Sequence, residues 1–135
     1  MPTLRVLIAA HEAVREVLGS ILRGAGCEVL TVSSTSEAIA QAAQFCPEAL
    51  ILETIMPGID GIRAAKQISQ ETKCRVLFLE APCDILGKHG LNDYANALRK
   101  EVPDCDVLPV PFEKETLAIV QGRETGWAVA EKSRV

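Results

Sequence analysis

The sequence predicts an α/β fold, a parallel sheet with helices on both faces, and three observations predict it. Short apolar runs alternate with amphipathic helical patterns five times along the chain. The connections are short, and right-handed crossovers of that length leave the strands parallel and the helices on both sides. The run ALILE, residues 49–53, lies between Pro47 and the turn Pro57-Gly58 and is apolar up to its last residue. That is the pattern of a strand buried on both faces. It places Glu53 at the carboxyl end of a strand, the edge of an open α/β sheet where ligands and chemistry collect.

In order, residues 4–9 (LRVLIA) are the first strand. Residues 12–23 carry Ala13, Val14, Val17, Leu18, Ile21 and Leu22, an i, i+3, i+4 rhythm that predicts a helix stopped by Gly24 and Gly26. Residues 28–32 are the second strand. Ser34-Thr35-Ser36-Glu37 has capping-box spacing, so a second helix starts near Ser34, packs Ala38, Ile39, Ala42, Ala43 and Phe45, and ends before Pro47. After the third strand, Asp60 caps a third helix with Ile62, Ala65 and Ile68 inward. Residues 75–79 (RVLFL) are the fourth strand, ending at Glu80, and residues 81–90, with Pro82, Gly87 and Gly90, read as a long loop. A weaker helix over 91–102, a short strand at 106–108 and a fifth helix over 113–121 follow. Residues 122–135 show no clear pattern; Trp127, Ala128 and Val129 either dock on the body or fray.

A chain of 135 residues is one domain with a core of its own. With only 4% aromatic residues that core is aliphatic. A net charge of −4 argues against nucleic acid, because binding phosphates takes clustered Lys and Arg. No apolar segment approaches ~18 residues, so no membrane span is expected. The start MPTLRVLIAA lacks the basic lead-in and the length of a secretory signal, so a cytoplasmic protein is expected. The five cysteines, Cys27, Cys46, Cys74, Cys83 and Cys105, are odd in number and include no C-x-x-C pair. Free, buried thiols are therefore expected, rather than a disulfide framework or a zinc site.

Several stretches resemble the receiver domain of bacterial two-component response regulators. The resemblance spans about residues 4–120: RVLIA followed by VREVL, Gly26-Cys27-Glu28-Val29, Ser36-Glu37-Ala38, and VLFL at 76–79. Most specific is PEALIL at 47–52 with MPGIDG at 56–61, set against the family's P-D-L-I-L-L-D-x-x-M-P-x-M-D-G; Pro111-Phe112 matches its K-P-F. The resemblance implies a flavodoxin-like (βα)5 three-layer sandwich with a five-stranded parallel sheet of order 2-1-3-4-5. It also implies a cis bond at Val110-Pro111, since X-Pro is the one common place for that geometry.

The reaction centre departs from the family at every matched position. Glu53 stands where the phosphoacceptor Asp is expected. Ala9-Ala10-His11-Glu12 stands where an acidic pair holds Mg²⁺. Glu80 replaces the Ser or Thr after strand four, Val110 replaces the Lys before Pro111, and Val107 falls at the aromatic switch position. Aspartyl phosphorylation needs an aligned carboxylate, a cation held by carboxylates, and a Lys or hydroxyl on the transferred group. The extra methylene of Glu53 displaces its carboxylate by roughly 1 Å, an error that can cost ~10²-fold. Three readings of Glu53 stay open: a relic carboxylate, a stand-in for phospho-Asp, or part of a new site. In the implied strand order Glu53 and Glu80 lie close and titrate as a pair, and a His11–Glu53 or His11–Glu80 contact is expected. His11, Glu53, Glu80 and Cys83 also form a conceivable metal set.

The reading is a receiver-like domain over residues 1–121 with a C-terminal tail over 122–135, a helix extension or partly disordered. Its expected role is that of a pseudo-receiver in a two-component phosphorelay, signalling by protein–protein contact without catalysis or cofactor. The expected partner, a signalling protein or histidine kinase, binds through about Leu91 to Gln121, the module being a monomer or homodimer. No output domain is expected, because the chain runs only 14 residues past Gln121. The alternative is a metal- or small-ligand-binding protein or enzyme that reuses the pocket of His11, Glu53 and Glu80.

Overall fold

The computed structural model describes residues 3–53, 60–79, 90–110 and 112–132, the side chains of 90–95 and 130–132 excepted. In chain order the described elements are β1 (Arg5–Ala9), α1 (Glu12–Gly24), β2 (Glu28–Val32), α2 (Thr35–Phe45), β3 (Ala49–Leu52), α3 (Gly61–Thr72), β4 (Arg75–Leu79), α4 (Gly90–Glu101), β5 (Asp106–Leu108), α5 (Thr116–Val120) and α6 (Gly126–Lys132). The strands form one sheet in the order β2-β1-β3-β4-β5, the order the resemblance implies. Every neighbouring pair is parallel. The register sets Ala9 beside Leu52 and Leu52 beside Phe78, so the central strands end level with one another.

The strands are apolar throughout because the sheet is covered twice. On one face Leu7, Leu50, Leu52, Val76 and Phe78 pack on Ala38 and Ala42 of α2, Ala65 and Ile68 of α3, and Leu98 of α4. On the other, Val6, Ile8, Ile51, Leu77 and Leu108 meet Leu18 and Leu22 of α1 and Ile119 and Val120 of α5. Small alanines on α2 and α3 let the helices lie close to the sheet, which suits a core with few rings.

Local signals start the helices where the sequence places them. Ser34 Oγ accepts the Glu37 N–H at 3.1 Å at the head of α2. Asp60 Oδ1 accepts the Ile62 and Arg63 N–H groups at 2.8 and 3.3 Å at the head of α3. The expected inward face of α3 holds, with Ala65 and Ile68 fully buried and Ile62 half-buried.

Three expectations need correction. The fifth helix is Thr116–Val120 and not 113–121, because Thr116 Oγ1 accepts the Glu113 N–H at 2.9 Å and closes a turn there. On α1, Val17 and Ile21 are 53% and 37% exposed, so its apolar stripe is wider than the face it buries. The third strand stops at Leu52, with Glu53 just beyond it. Of the two outcomes open for the tail, docking is the one observed: residues 126–132 form α6, whose Trp127 packs on the core.

The described thiols divide by environment. Cys74 and Cys105 are buried, Cys27 is half-buried, and Cys46 is exposed, contrary to the expectation of uniform burial. Burial pushes the Cys105 thiol up to about 11, and raises those of Cys74 and Cys27. The thiolate is the reactive form. At pH 8 a small alkylating reagent is therefore expected to label Cys46 rapidly and Cys74 and Cys105 only on unfolding, as peptide mapping would show. Fast labelling of Cys105 in the folded protein would contradict its placement. Folding holds the Cys105 proton more tightly than the unfolded chain does. Its contribution to stability is thus whole below pH 9 and lost as the pH rises toward 11.

Candidate functional site

The carboxyl ends of β1 and β3 bring His11 and Glu53 together. The two strands are neighbours, and the Glu53 N–H still donates to the Ala9 carbonyl at 3.2 Å after the strand proper has ended. That bond directs the Glu53 side chain at the chain leaving β1. Glu53 Oε2 lies 2.6 Å from His11 Nδ1, and Glu53 Oε1 accepts the His11 backbone N–H at 3.2 Å. Both carboxylate oxygens are thus engaged by one residue, as expected for one of the two contacts open to His11.

His11 is also the residue at which α1 begins. Its carbonyl accepts the Arg15 N–H at 2.9 Å, yet its own side chain makes no capping bond. Glu53, from the neighbouring strand, instead accepts the N–H of His11 itself. A carboxylate at a helix N-terminus is favoured by the partial positive charge of the unpaired N–H groups. Glu53 keeps 21% of its side-chain surface exposed and His11 63%, so the pair faces solvent and salt screens it. Glu53→Ala is accordingly expected to lower stability by only about 1 kcal/mol, the sum of an exposed pair and a helix anchor. Thermal melts at low and high salt would show a larger deficit at low salt; a salt-independent deficit would contradict this reading.

The remaining expected positions are less assembled. Ala9 and Ala10 are fully buried and offer no side-chain donor, and Glu12 is exposed in the first turn of α1. Val107 is buried in β5, while Val110 is 46% exposed beyond it. Glu80, Cys83 and Pro111, with the expected cis bond and the Glu53–Glu80 pair, lie outside the described residues. The Mg²⁺ that the resemblance implies requires carboxylates presented together. Ala9 and Ala10 supply none, and both oxygens of Glu53 are already hydrogen-bonded to His11. Among the described residues no three of His, Cys, Asp and Glu cluster as a metal site. The described residues do not by themselves fit the ion.

A second constellation, absent from the sequence reading, lies on β5. The Asp106 carboxylate accepts the N–H groups of Val107, Gly126 and Trp127 at 2.7, 2.9 and 3.0 Å. The Trp127 indole N–H donates to the Cys105 carbonyl at 3.1 Å, and the Arg99 guanidinium stands 4.7 Å over the ring. Beside it, Pro109, Val110, Glu113, Glu115, Thr116, Ile119 and Val129 enclose a cavity of about 280 Å³.

Comparison with known proteins agrees with this architecture. The profile of the response regulator receiver domain matches residues 6–118. The DNA-binding transcriptional regulator NtrC of Salmonella typhimurium is 32% identical over 110 residues, 81% of this chain and 22% of that protein. Protein PilG of Pseudomonas aeruginosa is 27% identical over 113 residues, 83% of this chain and 79% of that one. The chain spans only 43% of MtrA of Mycolicibacterium paratuberculosis, another DNA-binding relative. Among solved structures, a candidate response regulator from Chloroflexus aurantiacus superposes with a TM-score of 0.74 at 34% identity, covering 90% of this chain and 98% of that one. Chemotaxis protein CheY4 of Vibrio cholerae gives a TM-score of 0.71 at 24% identity with the same coverage, a likeness of fold.

Proposed function

The chain belongs to the response regulator receiver domain family, a receiver domain of two-component signalling, and from that premise we propose that it signals without being phosphorylated. The observation that carries this reading is the His11–Glu53 pair. In a phosphoryl-accepting centre the carboxylate must be free to attack and must share a cation with neighbouring acids. Here Glu53 is bound through both oxygens, and the positions that would supply the acids are the buried Ala9 and Ala10. The carboxylate at this point is held against the imidazole and the head of α1. Glu53 acts as a built-in anchor that ties β3 to α1.

The module then works through protein contact, and the surface from Leu91 to Gln121 is the proposed partner face, open to a signalling protein or a histidine kinase. It runs as a single unit over residues 1–121, without catalysis and without a cofactor. Among the described residues no helix is long and apolar enough to cross a membrane, and we place the module in the cytoplasm.

The experiment is a capture of partners from the native cell on the immobilised full chain, with and without a small phosphodonor and Mg²⁺. The reading expects the same proteins, in the same amounts, in both. A partner retained only after phosphodonor treatment would overturn it.

A further inference from the structure

The His11–Glu53 pair lies at the carboxyl ends of the strands. At the opposite edge, where β4 and β5 begin, a second cavity of about 340 Å³ opens beside the ends of α3 and α4. Further up, these two helices are joined by an ion pair, with Lys66 Nζ 3.6 Å from Glu101 Oε2. Below it the charges continue, Lys73 just past the end of α3 and Asp104 just past the end of α4. Among the described residues the side chains of Lys73 and Asp104 have no ion-pair partner, and they do not pair with each other. Both line the cavity instead. Its floor is apolar, made by the buried Val76 and Val102. Ser69 lines it from α3; its hydroxyl donates to the Lys66 carbonyl at 3.0 Å and still has lone pairs to accept with. Arg75 is committed elsewhere, its guanidinium donating to the Ile119 and Val120 carbonyls.

We propose that this cavity binds a free α-amino acid with a small aliphatic side chain. The carboxylate of the ligand faces Lys73 and the Ser69 hydroxyl, its ammonium faces Asp104, and its side chain lies on Val76 and Val102. The last carbonyls of α3 and α4 end near the same place and carry partial negative charge, which favours the ammonium further. A purely anionic ligand meets Asp104 and those carbonyl ends, and a purely cationic one meets Lys73. A molecule with both charges on adjacent atoms satisfies both walls, and the apolar floor then selects an aliphatic group. The volume stands at the lower end of the roughly 300–1,000 Å³ of ligand pockets, which suits a ligand of this size. This inference does not draw on the state of Glu53 and survives if that site proves to be phosphorylated.

The test is a titration of the isotope-labelled full chain with L-valine and with L-leucine, followed by the NMR shifts of its amides. Each is expected to bind with a Kd of order 0.1–1 mM, as fits a ligand of about eight non-hydrogen atoms. The amides of Ser69, Lys73 and Asp104 are expected to move while those of His11 and Glu53 stay still. Isovalerate lacks the ammonium and valinamide lacks the carboxylate. Each is expected to bind at least about tenfold more weakly than L-valine, the effect of losing one contact between charges. Lys73→Asn and Asp104→Asn are expected to weaken L-valine by a similar factor. Both positions are exposed, and asparagine tolerates the left-handed backbone that residue 73 adopts at φ 57°, so both variants fold. No binding at about 10 mM L-valine, binding of isovalerate or valinamide as tight as that of L-valine, shifts confined to other parts of the surface, or unchanged affinity in either variant would each overturn the proposal.

Discussion

Phe78→Ala is expected to lower the free energy of unfolding by about 3–5 kcal/mol, the range for deleting a buried ring from a close-packed core. Phe78 is fully buried near the middle of the sheet, and among the described residues it is the largest side chain so placed. It lies on β4 beside Leu52, between the sheet and the layer of α2, α3 and α4. Few other rings share the core, since the chain has three Phe, one Tyr and one Trp. The alanines opposite it on α2 and α3 cannot lengthen to fill the space. Domains of this size are stable by about 5–15 kcal/mol, so the change removes a large part of the total. Urea denaturation followed by circular dichroism would show a lower midpoint at an unchanged slope. A loss under ~1 kcal/mol would mean that the ring is not packed where the structure places it.

Asp106→Ala is the second large effect, expected at about 2–3 kcal/mol. The substitution removes the acceptor for three backbone N–H groups, those of Val107, Gly126 and Trp127. Leaving a partly buried donor without a partner costs about 1–3 kcal/mol, and here solvent reaches some of the freed groups once α6 lifts. Two readouts separate the parts. Urea denaturation gives the total, and Trp127 emission gives the detachment of α6. Asp106→Asn keeps one oxygen acceptor and is expected to lose less on both. A variant as unstable as Asp106→Ala but with unshifted emission would show that the carboxylate serves β5 alone.

The sheet was legible because a strand buried on both faces has only one way to be written. ALIL at 49–52 and VLFL at 76–79 are continuous apolar runs between breakers, and both are strands. The heads of α2 and α3 were legible because their caps lie within three residues of the groups they satisfy. The head of α6 was not, because its cap is Asp106, 20 residues upstream of Gly126. A local reading of Gly122 onward sees no acceptor and calls no helix. The overlong fifth helix has the opposite origin: the helical pattern continues back to Glu113, but the Thr116 hydroxyl takes that N–H and stops it. The exposed Val17 and Ile21 show what periodicity omits, since it marks an apolar stripe without saying how much of it a sheet can cover.

The site was legible from the strand order that the resemblance implies, which left His11 free to meet Glu53 or Glu80. Once β1 and β3 are neighbours, the residues that leave their carboxyl ends must meet, and His11 was the basic group available to Glu53. What no pattern could supply was the second bond, from the His11 backbone N–H to Glu53 Oε1, since it depends on the turn of the chain into α1. That bond brings the second carboxylate oxygen into contact with His11 as well.

The most direct test of this account is the mass of the intact protein after incubation with a small phosphodonor and Mg²⁺, followed by peptide mapping. The account predicts no gain of a phosphoryl group on any peptide containing Glu53, in wild type and at every donor concentration. A stable phosphoryl adduct on Glu53 would contradict it, for the carboxylate would then have left His11 and found the cation that these residues do not assemble.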